Sequence, residues 1–165
     1  MLVKIKNFIF RIIYILLIIY LLIFIPSFFG HKPLVVISGS MEPTLKVGGI
    51  LYYEKVEIDE LDEGDILVYQ NRDNIISHRI VDILENKFIT KGDMNNSEDN
   101  ILIDESVILG KGTNWSIPLL GYYADYIYSH KYILFISLGV LIIDLCNDLY
   151  IEHKKKVGNL IEKKK

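Results

Sequence analysis

Residues 65–90 read DILVYQNRDNIISHRIVDILENKFIT, and this segment says most about the architecture of the chain. It holds three short runs rich in β-branched and aromatic residues, Asp65–Tyr69, Ile75–Ile83 and Lys87–Thr90, and the polar residues Gln70–Asn74 indicate a turn. Similar runs lie outside the segment, at Leu34–Ile37, Ile50–Tyr53 and Ser106–Leu109. Because no helical crossover separates these short strands, we predict a mainly β domain with an antiparallel, partly closed sheet.

Charge and hydropathy divide the chain of 165 residues into a folded middle and two distinct flanks. Hydrophobic residues make up 51% and charged residues 24%, which is compatible only with clustered apolar residues. Residues 31–130 carry 8 Lys/Arg against 17 Asp/Glu (−9), and the flanks carry 10 against 4 (+6), which together give the net charge of −3. A nucleic-acid binder carries its positive charge on the folded domain, so we predict no nucleic-acid partner. The single cysteine, Cys146, excludes an internal disulfide and a cysteine-based metal site.

An apolar run near the N-terminus predicts a membrane anchor over residues 1–26. Phe8–Ile25 contains one charge, Arg11, and at about 1.5 Å per residue the run is roughly 27 Å long, close to the hydrocarbon thickness of a bilayer. Lys4 and Lys6 precede it, which places the N-terminus in the cytoplasm. The alternative is a cleaved signal peptide, which has a shorter apolar core and a small-residue cleavage site. Bulky aromatic residues follow this run, so we favour an uncleaved anchor.

A second apolar run, residues 132–151, predicts another transmembrane helix with a basic cytoplasmic tail at 152–165. The run includes Asp144, Asn147 and Asp148, and a carboxylate at mid-membrane costs about 2.5–3.5 kcal/mol. The alternative is a helix lying in the bilayer interface. If the run spans, both termini are cytoplasmic and residues 27–131 form an extracytoplasmic domain. The aromatic residues before the run are expected to form a belt at the outer interface or to pack in the core: Trp115, Tyr122, Tyr123, Tyr126 and Tyr128.

Two segments carry residue types suited to nucleophilic catalysis. Ser38–Thr44 reads SGSMEPT directly after a predicted strand, where a serine beside glycine is exposed on a sharp turn. A serine hydroxyl needs a base to become a nucleophile. Of the four histidines only His78 lies within a predicted strand, which makes it the best candidate base.

Acids that could orient the imidazole follow another predicted strand. Residues 91–99 read KGDMNNSED and contain three carboxylates, Asp93, Glu98 and Asp99. Residue types alone do not choose among them, because most acids in such a loop are solvated or cap turns.

Together these segments resemble type I signal peptidases of the archaeal, endoplasmic-reticulum and sporulation-type branch. The resemblance covers roughly residues 8–121 and rests on SGSMEPT at 38–44, SHR at 77–79 and KGD followed by an acid at 91–99. A weaker block contains Gly110–Gly112, Trp115, Pro118 and Gly121. The general bacterial branch has lysine where His78 stands, so the histidine assigns the chain to the Ser-His-Asp branch. Met94 departs from the pattern, which usually has asparagine.

The resemblance implies an activity and a role for each matching residue. The activity is that of a membrane-bound serine endopeptidase that removes signal peptides from exported preproteins, with no metal or cofactor. Ser40 is the nucleophile, His78 the base and Asp99 the acid that orients it, with Asp93 supporting the site or taking that role. The Ser38 hydroxyl and the Ser40 backbone amide form the oxyanion hole. The apolar runs at 34–37 and 75–80 supply the edge to which the substrate adds as a strand.

Other interpretations remain. Lys91 is an alternative base, but it sits in the block of acids. A Ser/Lys autoprotease of the phage-repressor type would be soluble and would carry a DNA-binding head. An anchored scaffold without activity would not need Ser40, His78 and both acids. The expected partners are preproteins and the lipid bilayer of the cell membrane; partner subunits are not predicted from the sequence.

Overall fold

The computed structural model describes residues 2–85 and 87–162. Residues 20–126 form one compact unit, and the residues before and after them form a second. Residues 1, 86 and 163–165, which include the end of the predicted basic tail, lie outside the described residues.

The larger unit is built on a six-stranded sheet. The strands are β1 (Lys32–Val35), β2 (Ile50–Glu54), β3 (Ile66–Asn71), β4 (Asn74–Leu84), β5 (Lys87–Lys91) and β6 (Ile108–Gly112). They lie in the order β1-β2-β6-β3-β4-β5, and every pairing is antiparallel. Short 3-10 helices occupy Ile25–Phe29, Ile58–Glu60 and Glu105–Val107. The predicted mainly β, antiparallel fold class is confirmed.

Three α-helices lie within the described residues, and two of them match the predicted apolar runs. They are α1 (Leu2–Phe24), α2 (Leu120–Ser129) and α3 (Lys131–Glu162). Two helical segments within the described residues, Ile5–Phe29 and Lys131–Gly158, are long and apolar enough to cross a membrane. Helix α3 continues beyond residue 151 to Glu162, so the described part of the basic tail is helical.

Three local predictions need correction. The last strand begins at Ile108 rather than Ser106, because the Asp104 side chain accepts a hydrogen bond from the Ser106 N–H and caps a 3-10 turn there. The first strand ends at Val35, and Ile37 projects into solvent with 80% of its surface exposed. In addition, no helix was predicted where α2 lies. The Gly121 N–H donates to the Gly48 carbonyl at 2.9 Å, which fixes the first turn of this helix against the sheet loop.

Strand β3 is buried on both faces and separates two parts of the core. Ile66 and Val68 pack with Met41, Leu45 and Leu51 on one face. Alternation along the strand turns the neighbouring residues to the other face, where they join a second cluster: Leu61, Leu67, Tyr69, Ile80, Phe88 and Ile103. The first cluster supports the loop that carries Ser40, and the second supports the strand that precedes the loop of acids.

The aromatic residues before α3 divide between packing and exposure. Tyr123 packs against the cluster of Ile23, Ile50, Tyr52 and Ala124. The side chains of Trp115, Tyr122, Tyr126 and Tyr128 are largely exposed. Trp115 also contacts the ring of the buried Tyr52. Packing therefore accounts for Tyr123 and in part for Trp115, and the interfacial belt stays a prediction for the exposed residues.

Candidate active site

Ser40 lies on a loop that is anchored to the core on both sides of the serine. Val36 before the serine and Met41 and Leu45 after it are buried in the core, with 6%, 1% and 0% of their surfaces exposed. Burying such side chains stabilises the loop by roughly 1.5–3 kcal/mol each. The loop is closed by hydrogen bonds from the Val36 N–H to the Gly49 carbonyl and from the Gly48 N–H to the Val36 carbonyl, at 2.9 and 2.8 Å. The apolar anchors therefore hold the half-buried Ser40 at a fixed position beside the sheet.

Gly48 is required by this closure. Its φ of +75° lies in the left-handed region, and an added Cβ would come within 2.0 Å of the Tyr122 ring. A side chain at this position would be strained at this φ and would have to displace the ring.

The structure brings Ser40, His78 and Asp99 together in one chain of hydrogen bonds. His78 Nε2 lies 3.0 Å from Ser40 Oγ, and His78 Nδ1 lies 2.6 Å from Asp99 Oδ2. His78 and Asp99 are both largely buried, with 11% and 18% of their side-chain surfaces exposed. A carboxylate beside Nδ1 holds the proton on that nitrogen, which leaves Nε2 to accept the Ser40 hydroxyl proton.

Asp93 occupies a different position from Asp99. Its two carboxylate oxygens accept from Arg79 Nε and Nη2 at 2.8 and 2.7 Å, and Oδ2 also accepts from Thr44 Oγ1 at 2.6 Å. The Arg79 guanidinium, with a smaller effect of Thr44, holds the pKa of Asp93 below its ordinary range. Because His78 and Arg79 are neighbours on a strand, their side chains point to opposite faces. Each of them therefore meets a different acid of the same loop.

The loop of acids also contacts the backbone of Ser40. The Met94 N–H donates to the Ser40 carbonyl at 2.8 Å. A Cβ added to Gly92 would come within 2.6 Å of the same carbonyl oxygen. The Met94 side chain is exposed, so its departure from the family's usual asparagine leaves this backbone contact intact.

The remaining predicted site residues have distinct surroundings. Ser38 Oγ lies 3.3 Å from Ser40 Oγ, on the exposed side of the loop. In the part of the chain that the structure describes, the hydrogen bonds of the Ser40 hydroxyl go to His78 and Ser38, and none joins it to Lys91. The structure thus brings the serine to the histidine rather than to the alternative base.

A cleft of about 380 Å³ opens beside Ser40, between two backbone segments. Its walls are residues 34–38 and residues 74–78, and Ser40 and Met41 form one end. Strand β1 is an edge of the sheet, and β5 pairs with β4 only from Arg79 onward. Both walls therefore present backbone groups with no sheet neighbour on the cleft side, which suits a peptide bound as an added strand.

Three polar side chains beside the two acids were not predicted from the sequence to have a role. Arg79 and Thr44 bind Asp93, away from the series of Ser40, His78 and Asp99, whereas Thr90 binds Asp99. Thr90 Oγ1 donates to Asp99 Oδ2 at 2.6 Å. The sequence did contain an indication that Thr90 is buried. Side chains alternate between the two faces of a strand, so in Lys87–Lys91 Thr90 lies on the same buried face as Phe88.

Comparison with known proteins shows which family the chain belongs to. The family model described as signal peptidase, peptidase S26, matches residues 9–101, which is more than half of the chain. Signal peptidase I W of Bacillus subtilis is 30% identical over 128 residues, which cover 69% of this chain and 67% of that protein. The signal peptidase complex catalytic subunit SEC11C of Canis lupus familiaris is 36% identical over 94 residues, which cover 52% of this chain. The match spans 46% of SEC11C, or about half of its length. The chain belongs to the signal peptidase family, peptidase S26.

Proposed function

We propose that this chain is a membrane-bound serine endopeptidase that cleaves N-terminal signal peptides from exported preproteins with a Ser-His-Asp site. The single observation that carries the proposal is the hydrogen-bonded series Ser40 Oγ, His78 Nε2, His78 Nδ1 and Asp99 Oδ2, with separations of 3.0 and 2.6 Å. A serine, a base and an orienting acid in that order are what acyl transfer requires.

The proposed reaction has two halves. His78 Nε2 takes the proton from Ser40 Oγ as that oxygen attacks the scissile carbonyl carbon, and it later gives a proton to the leaving amine. The signal peptide is then joined to Ser40 as an acyl-enzyme. His78 takes a proton from a water molecule that attacks this ester, Ser40 Oγ regains a proton, and the signal peptide leaves with a new carboxylate. Asp99 holds the imidazole in the required tautomer and stabilises the imidazolium that forms in each half.

We assign the oxyanion hole to the Ser38 hydroxyl and the Ser40 backbone N–H. The position of Ser38 two residues before the nucleophile, with its hydroxyl 3.3 Å from Ser40 Oγ, supports the assignment. Removing one donor of an oxyanion hole costs about 2.7–4 kcal/mol of barrier height. Ser38→Ala is therefore expected to slow cleavage without abolishing it.

The cleft between residues 34–38 and 74–78 is the proposed substrate site. An extended preprotein segment would hydrogen-bond to the free edge of β4 and to the segment after β1. Apolar side chains line the cleft beside Ser40, among them Leu34, Val36 and Ile76. These walls favour small apolar side chains near the bond to be cut.

The proposed anchors are α1 and α3, with both termini in the cytoplasm and residues 27–131 outside. Lys6 Nζ forms an ion pair with Asp144 Oδ1 at 2.6 Å. Lys6 precedes the apolar run of α1, so the pair supports a position of Asp144 near the proposed cytoplasmic boundary rather than at mid-membrane. This removes much of the cost that argued against a spanning α3.

The test is cleavage of a preprotein carrying an Ala-x-Ala site by the full-length chain in detergent. The wild type is expected to release the signal peptide, and Ser40→Ala is expected to be inactive while still folded. Ser106→Ala, which changes an exposed serine outside the site, is the matched control and should cleave like the wild type. Equal cleavage by Ser40→Ala and the wild type would overturn the proposal, as would failure of the folded wild type to cleave.

A further inference from the structure

Thr90 is a polar residue on the buried face of β5. Its side chain lies on the same face of β5 as Phe88 and is 0% exposed. The surrounding cluster includes Leu67, Ile80 and Ile103. Burial of a hydroxyl among apolar side chains is unfavourable unless the hydroxyl is hydrogen-bonded, so the partners of Thr90 explain why it can be here.

Thr90 contacts Asp99 through both its side chain and its backbone. Its Oγ1 donates to Asp99 Oδ2 at 2.6 Å, and its carbonyl accepts from the Asp99 N–H at 2.8 Å. Tyr69 lies behind this pair, with its hydroxyl oxygen 3.3 Å from Thr90 Oγ1 and 3.4 Å from Asp99 Oδ2. The same Asp99 oxygen faces His78 Nδ1. Donors therefore converge on the oxygen that meets the imidazole.

We propose that Thr90 is a positioning residue for peptide cleavage, acting through Asp99, with Tyr69 as a second donor. The inference rests on the proposed Ser-His-Asp function. A carboxylate with one hydrogen bond can rotate about its Cβ–Cγ bond, which tilts its plane away from the imidazole. The backbone hydrogen bond from Asp99 to Thr90 fixes the start of the side chain, and the hydrogen bond from the Thr90 hydroxyl fixes the tilt of the carboxylate toward His78. Deleting the hydroxyl leaves the acid present but misdirected.

Tyr69 is suited to the second role because it keeps its proton. Burial is the main cause that raises the pKa of its phenol to about 12. The neutral phenol donates its one proton to Asp99 Oδ2, the oxygen that also accepts the Thr90 proton. This ordering gives the acid a fixed direction across the neutral pH range.

The chain provides a matched comparison for this role. Thr44 Oγ1 donates to Asp93 Oδ2, also at 2.6 Å, so the two threonine–aspartate bonds have the same length and chemistry. The difference is that Asp93 binds Arg79, whereas Asp99 faces His78. Loss of a hydroxyl at either position removes one such bond, but only the loss at Thr90 affects the proposed base.

The experiment measures kcat and KM for preprotein cleavage, with thermal melting, in the full-length chain in detergent. Thr90→Val keeps the shape and is expected to lower kcat by about 10- to 100-fold, the scale of loss when a reacting group is misplaced by about 1 Å, with KM nearly unchanged. Thr90→Ser should recover most of the lost kcat. Thr44→Val should melt earlier than the wild type but keep its kcat within about threefold, since the imidazole stays oriented.

The outcomes separate the two proposals. If Thr90→Val and Thr44→Val lower kcat equally, or if Thr90→Val matches the wild type while Asp99→Asn is inactive, Thr90 has no positioning role and the proposed function stands. Undiminished cleavage by Ser40→Ala instead overturns the proposed function. If Thr90→Val does not fold, Tyr69→Phe decides, since it removes the second donor and keeps the ring. A wild-type kcat for Tyr69→Phe then overturns the inference, and a severalfold loss at unchanged KM supports it.

Discussion

At the scale of single residues, the two acids of one loop differ because of the strand that they face. Asp99 faces His78 and Asp93 faces Arg79, and these two partners are adjacent on β4. The sequence offered both acids in one polar stretch and could not separate them, since residue type and spacing are the same for a triad acid and a loop cap. The two acids differ because His78 and Arg79 point to opposite faces of β4, and because the loop of acids folds back so that each acid reaches a different face.

We expect Asp99→Asn to be folded and nearly inactive. An asparagine keeps the shape but favours the wrong imidazole tautomer, which costs about 10⁴ in rate by analogy with the serine-protease case. Asp93→Asn should instead melt at a lower temperature and lose part of its activity through the loop, because it weakens the bidentate bonds to Arg79. Cleavage rates and thermal melting of both variants test the assignment. A folded, inactive Asp93→Asn beside an active Asp99→Asn would reverse it.

The low pKa of Asp93 predicts how its contribution to stability depends on pH. An acid whose pKa is lower in the folded than in the unfolded state stabilises the fold above the unfolded pKa, about 3.9 for aspartate. That contribution is lost as pH falls through the lower, folded value. Both proteins are compared as full chains in detergent. Above about pH 4 the wild type should have a larger unfolding free energy than Asp93→Asn, and this difference should become smaller as the pH falls below about 4. A difference that stays constant between pH 7 and pH 2.5 would contradict the role of the Arg79 contact.

At the scale of elements, the sheet could be read from the sequence and the loop of acids could not. Runs of β-branched and aromatic residues predicted all six strands to within a few residues, and five of these strands contain buried residues. The helix α2 was missed because its tyrosines and Gly121 have weak helix propensity, and contacts with Gly48 fix it instead. Thr90 was missed because a buried threonine in a strand reads like any β-branched residue until its hydroxyl partner is known.

The contact between the loop of acids and Ser40 leads to a paired prediction. Met94→Ala should cleave preprotein within about twofold of the wild type, since the hydrogen bond to Ser40 comes from the backbone N–H and the side chain is exposed. Gly92→Ala should lose at least about tenfold, because its new Cβ forces the loop away from the Ser40 carbonyl. Steady-state cleavage rates of the two folded variants provide the measurement. Equal activity of both would show that this approach does not position the nucleophile.

At the scale of the whole molecule, charge distribution and anchoring fit one cellular arrangement. The segment 31–130 is strongly acidic and the flanks are basic. An acidic domain is repelled by anionic lipid, so the proposed anchors would be needed to hold this domain at the membrane. The basic residues Lys154, Lys155 and Lys156 follow the apolar part of α3, in the position that the positive-inside rule gives to a cytoplasmic exit.

This arrangement predicts the fate of a tag placed after Lys165. In intact right-side-out vesicles, added protease should digest the domain between the anchors and spare the tag, because a spanning α3 returns the chain to the cytoplasm. Leu138 lies within the apolar part of α3 and is exposed in the structure. Leu138→Asp puts a carboxylate well inside the proposed span, at a cost of about 2.5–3.5 kcal/mol, and should leave a larger fraction of the tag accessible. Asp148→Asn, which removes a charge near the cytoplasmic side, is the matched control and should keep the tag protected. A tag that is clipped in the wild type while a cytoplasmic marker survives would mean that α3 lies on the outer surface, and the domain would then have one transmembrane anchor.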